Sequence, residues 1–194
     1  MPPSSIPSAH RAMLRDLDRF LRESDRVLAA WRVYSEEHTD LDGWPFDDDA
    51  YGRRATDRDA AVAESFDHVR GGAAHLLATA RAQLVLLPTG AAQSRWAWQL
   101  TVLQDALDRL GALRETWRIT RDSLPPNAGP RTSAFDDTHA AHLRAAGAAL
   151  NEWAVHGHAI REIDKAARSA PFRLVPRPAT SPAQTPARVE AAQR

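Results

Sequence analysis

Apolar side chains recur every three or four residues along almost the whole of this chain, and no segment alternates apolar and polar positions with period two. That spacing suits helices that each bury one stripe, and it leaves no candidate for a sheet framework. The first stripe, Met13, Leu14, Leu17, Phe20, Leu21, Val27, Leu28, Trp31 and Tyr34, predicts a helix over about 8–38 with Ser8 as its N-cap. A second, through Val62, Phe66, Val69, Leu76, Leu84 and Leu87, predicts a helix over about 57–87. Its start resembles a capping box after Thr56, and Pro88 stops it. The third stripe is Trp96, Leu100, Leu103, Leu107, Leu110 and Trp117, on a helix over about 91–124 closed by the segment LPPNAGPR. The fourth, over about 133–169, carries Phe135, His139, Leu143, Ala146, Leu150, Trp153, Ile160 and Ile163.

Each predicted helix is long, about 45–55 Å at the helical rise, and the connections are short. Near-equal length with short connections predicts an all-α fold, an up-down-up-down four-helix bundle of antiparallel helices spanning residues 8–170. The rival arrangement is a long helical hairpin that dimerises into a bundle. Residues 1–7 are expected to be a flexible N-terminus. Residues 171–194, rich in Pro, Ala, Thr and Gln, are expected to be a disordered tail. A faint repeat relates His68-Val69-Arg70 and Leu76 to His142-Leu143-Arg144 and Leu150 at equal spacing, with small residues between.

Composition narrows the function. The formal net charge is zero, so no global field recruits nucleic acid or acidic lipid. Arginines are spread along the helices among acids, and only the last part of the chain leans basic, so nucleic-acid binding has little support. Cysteine is absent, which removes disulfides, thiolate catalysis and cysteine-based zinc sites. No apolar run is long enough to span a bilayer and the N-terminus has no secretory pattern, so a cytoplasmic protein is expected. A nucleophile elbow, a phosphate-cradling glycine loop and an H-E-x-x-H zinc motif are all missing from the sequence.

Two features could carry function. In the expected topology one end of the bundle gathers Glu64 and His68 from one helix with Asp136, His139 and His142 from another. Imidazoles and carboxylates converging from two helices are how bundles hold zinc or iron, so a metal site there is the sharper expectation. The plainer one is first-turn acids answering a helix dipole beside surface histidines. The second feature is EEHTDLDGWPFDDD, residues 36–49, where seven acids surround Trp44, Pro45 and Phe46. It lacks the acid spacing of a calcium loop. Trp44 and Phe46 are expected to anchor the connector on the bundle end, with Asp47, Asp48 and Asp49 left in water. A basic partner adsorbed on these acids is the other reading. Finally Trp98, Val102, Ala106 and Leu113 form an apolar line off the main stripe of the third helix. Trp98, Val102 and Leu113 are therefore candidates for an interface or for self-association. These observations favour a non-catalytic protein-interaction or assembly module without a cofactor, with a zinc- or iron-binding helical enzyme or sensor as the alternative.

Overall fold

The computed structural model of the protein describes residues 8–170, and the expected flexible N-terminus and tail lie outside them. The described chain is helical: α1 (Ser8–His38), α2 (Asp48–Arg70), α3 (Ala73–Leu86), α4 (Ala91–Asp122), α5 (Ser133–His156) and α6 (His158–Ser169). Among the described residues the sole β-type pairing is a single bridge between Thr39 and Pro45.

Two of the expected helices are interrupted, and glycine marks both breaks. Gly71 and Gly72 separate α2 from α3. A Cβ on Gly72 would stand 2.8 Å from Met13 Cγ, so its bare backbone is what lets α1 approach the start of α3. Gly157 separates α5 from α6, and a Cβ there would sit 2.6 Å from the Trp153 carbonyl oxygen and 3.1 Å from Leu21 Cδ2.

The start of α2 also differs from the expected one. It opens at Asp48 rather than after Thr56. Asp47 is the N-cap, its side chain accepting the Ala50 amide at 2.9 Å, and Asp48 and Asp49 occupy the first turn. Three consecutive acids satisfy free amides and the dipole better than the later threonine does. Thr56 instead lies inside the helix and donates to the Gly52 carbonyl.

The two helices of each hairpin run antiparallel. In the α1–α2 hairpin Trp31 meets Tyr51 near the connection and Phe20 meets Phe66 farther along. In the α4–α5 hairpin Trp117 lies against Phe135 near the connection and Trp98 against His156 farther along. The two hairpins are joined through the core, where Phe66 takes Phe20 and Trp153 edge-on, each at 5.2 Å between centroids. Such pairs add about 0.5–1.5 kcal/mol each beyond the area they bury. Leu17, Leu76, Leu77, Leu100, Leu103, Leu150, Ile160 and Ile163 fill the rest of that core. The faint repeat does not govern this packing: equating His68 with His142 would pair Phe66 with Ala140, whereas Phe66 meets Trp153.

Trp153 is fully buried as the stripe predicts, but Trp117 is only half-buried. Its neighbours Phe135, His139 and His142 cover part of the ring and leave the rest facing a cleft.

Candidate functional site

The α1–α2 connection reverses the expectation for its aromatics. Trp44 and Phe46 are each 71% exposed, and Leu41 is wholly so. The acids Asp47, Asp48 and Asp49 are in water, as expected. The loop holds its shape through its own hydrogen bonds. Asp40 Oδ1 accepts the Asp42 and Trp44 amides at 3.0 and 2.8 Å. The Asp40 amide donates to the Trp44 carbonyl at 2.9 Å, and the Phe46 amide to that of His38 at 3.0 Å. Gly43, at φ 84°, takes the left-handed turn that this closure requires. With the neck closed beyond the last turn of α1, Trp44 and Phe46 stay largely in water. The apolar surface beneath is already covered: Tyr34 stacks on His38, and Tyr51 packs on Trp31 and bonds Ser35 Oγ at 2.8 Å. Tyr51 is the anchor that the sequence reading missed. Its signal was its place on the inner face of the first turn of α2, hidden by starting the helix too late.

A cleft of about 430 Å³ lies between α2, α4 and α5, and it brings together three of the five candidate metal residues: Glu64, His139 and His142. His68 is exposed and lies outside its lining. Asp136 is exposed and accepts the Arg131 amide at 3.2 Å, serving the start of α5. Among the described residues no group of three or more histidines and carboxylates converges closely enough to hold a metal ion. The i,i+3 and i,i+4 spacings put each pair on one helical face, but the two faces do not point at a common centre. The cleft also holds the Arg70–Asp67 ion pair and Arg114 beside the half-buried Trp117. Burial holds the His142 pKa below the usual histidine range, and the nearby charges of His139 and Arg70 push it the same way.

The second apolar line of α4 is not a continuous surface. Ala106 is buried, Val102 is half-buried, and Leu113 is half-buried against the core. Trp98 alone stays largely exposed, at 58%, with one edge on His156.

A buried polar cluster also escaped sequence reading. His10, on α1, and Asp164, on α6, are both buried, with His10 Nε2 3.7 Å from Asp164 Oδ1. Gln83 donates to the same oxygen at 3.3 Å, and Arg168 pairs with Oδ2 at 2.8 Å. Both lie at the ends of the chain's helical region, where a polar residue on the edge of a stripe reads as surface.

By fold this is an all-helical protein, and no helix in the described part is long and apolar enough to cross a membrane. Comparison with known proteins finds no matching family model, no matching curated protein and no matching solved structure.

Proposed function

We propose that the protein is a non-catalytic docking module that presents the α1–α2 loop to a partner protein. The observation that carries this reading is the exposure of Leu41, Trp44 and Phe46 on a loop whose conformation is set by its own hydrogen bonds. Burying an aromatic or aliphatic side chain is worth about 1.5–3 kcal/mol, so holding three in water forgoes several kcal/mol that folding could have used. A preorganised aromatic pair spends little entropy on binding, and tryptophan is a favoured hot-spot residue. Seven acids across residues 36–49 define the partner's chemistry: an apolar cleft rimmed by lysine or arginine. The same acids disfavour an anionic bilayer as the target. In this reading the six helices form an up-down-up-down four-helix bundle, a cytoplasmic scaffold whose task is to hold the loop. The antiparallel α1–α2 and α4–α5 hairpins support that topology.

The test places a photo-crosslinking amino acid at position 44, identifies the protein it captures, and measures that partner's affinity for the purified chain. Trp44→Ala with Phe46→Ala is expected to weaken the complex at least about 100-fold. Asp47, Asp48 and Asp49 changed together to Asn should slow association and flatten its salt dependence. A captured partner that binds the aromatic double variant as tightly as the parent would remove the loop from the interface and the proposal with it.

A further inference from the structure

We propose that the cleft between α2, α4 and α5 binds a small aromatic anion, a flat aryl body carrying one carboxylate or phosphate. The volume, about 430 Å³, suits a ligand of that size. One side of the cleft is apolar, built from Trp117, Leu143, Ala60 and Ala63, and would pack against the aryl ring. The polar lining is rich in hydrogen-bond donors. Arg70 gives Nη2 to Asp67 at 2.7 Å, but its Nε is buried with no partner. Arg114 is exposed and joins no ion pair among the described residues. A guanidinium with its fork free is the side chain best shaped to take a carboxylate or phosphate at two points.

The two carboxylates of the lining balance its two guanidinium groups, so protonation of the imidazoles gives the cleft its positive sign. Asp67 is engaged by Arg70, which leaves Glu64 to set against Arg114 and the two imidazoles. His142 stacks on Trp117 at 17° and 5.5 Å between centroids, with His139 beside the same ring at 5.2 Å. Each imidazole can turn an N–H toward a bound anion, and each becomes a full cation once protonated. Acid should therefore strengthen binding, and the bound anion should in turn raise the pH at which His142 takes up its proton.

The probes are 1-naphthoate and 1-naphthyl phosphate, titrated calorimetrically into the full chain at pH 5.5 and 7.5. Inorganic phosphate, neutral 1-naphthol and cationic 1-naphthylmethylamine serve as controls. Both aryl anions should bind at least tenfold more tightly than any control, and 1-naphthoate, which keeps its charge over this range, more tightly at pH 5.5; the phosphate loses part of its second charge below about pH 6. The stronger of the two names the head group. Arg114→Gln, at an exposed position that should leave the fold intact by circular dichroism, should weaken both about tenfold or more. Trp117→Phe should keep binding, whereas Trp117→Ala should bring the aryl anions down to the level of inorganic phosphate. Preference for the amine or the neutral naphthol, affinity unchanged by Arg114→Gln, or no binding by either aryl anion would each overturn the proposal.

Discussion

Trp153 and Trp44 put the same side chain in opposite settings, and the contrast gives the first prediction. Trp153 is fully buried against Phe66, so Trp153→Ala should cost about 3–5 kcal/mol in denaturant melts. Trp44→Ala should stay within about 0.5 kcal/mol of the parent, as surface changes do; a larger loss would mean that the ring is packed after all. The buried polar cluster gives a second. Both ring nitrogens of His10 are buried without a hydrogen-bond partner, since 3.7 Å to Asp164 is too long for one. Leucine fills similar space without polar atoms to satisfy. His10→Leu should thus stabilise by about 1 kcal/mol, a rise of about 2–4 °C in Tm for a chain of this size. A fall instead would show that the His10–Asp164 contact stabilises the fold as an ion pair. The third concerns pH. The folded-state pKa of His142 is lowered, so the unfolded chain binds its proton first as pH falls. Its contribution to stability is present above the ordinary histidine value of about 6.5 and is lost as pH drops through the lowered folded one. Melting curves of His142→Gln should therefore fall less steeply with acid than those of the parent as pH drops below about 6.5.

At the scale of the element, the glycines separate two physical roles. Gly71 has helical φ and ψ, and a Cβ on it would meet nothing within 4 Å. Gly71→Ala should stabilise by about 0.5–1 kcal/mol through helix propensity and a less flexible unfolded chain. Gly157→Ala puts its methyl group against a backbone carbonyl and Leu21, and should cost about 1–3 kcal/mol. If thermal melts showed both changes equally mild, the α5–α6 break would not be set by that close approach. Element existence was readable from the stripes because three-four spacing leaves little choice. The breaks were not, because a glycine inside an alanine-rich helix gives no sign of whether a neighbour stands where its side chain would be. The start of α2 was missed for a different reason. By charge alone Asp47, Asp48 and Asp49 suit a solvated loop, although an acid followed by first-turn acids is itself a helix-start signal.

For the whole molecule, Trp98 poses the question of assembly. It is 58% exposed beside His156, and Val155 next to that histidine is 54% exposed. If copies of the chain associate there, Trp98→Glu should shift light scattering toward the monomer with helicity unchanged. A parent already monomeric at high concentration would end that idea. The all-helical class was legible because the stripes extend through nearly the whole described chain. The candidate site is less so, because the direction its side chains take does not follow from spacing. Energetic reasoning turned Trp44 and Phe46 inward because burial is favourable, yet it had no means of knowing that Tyr34, Tyr51 and Trp31 already fill the space beneath. Spacing groups the candidate metal residues by helix, but which of them share a cleft depends on packing that spacing alone does not specify: His68 and Asp136 lie outside the one lined by Glu64, His139 and His142.

The closed neck of the α1–α2 loop has one more consequence. Because the Thr39–Pro45 bridge ties the two ends together and Trp44 and Phe46 contribute nothing to the core, the exposed aromatics and the folding core are separate sets of residues. Leu41, Trp44 and Phe46 can therefore change with little effect on the scaffold, whereas Asp47 has to remain a helix cap. The same independence makes the loop portable: grafted onto another antiparallel helical hairpin of matching spacing, residues 38–48 should keep their turn and leave Trp44 and Phe46 exposed.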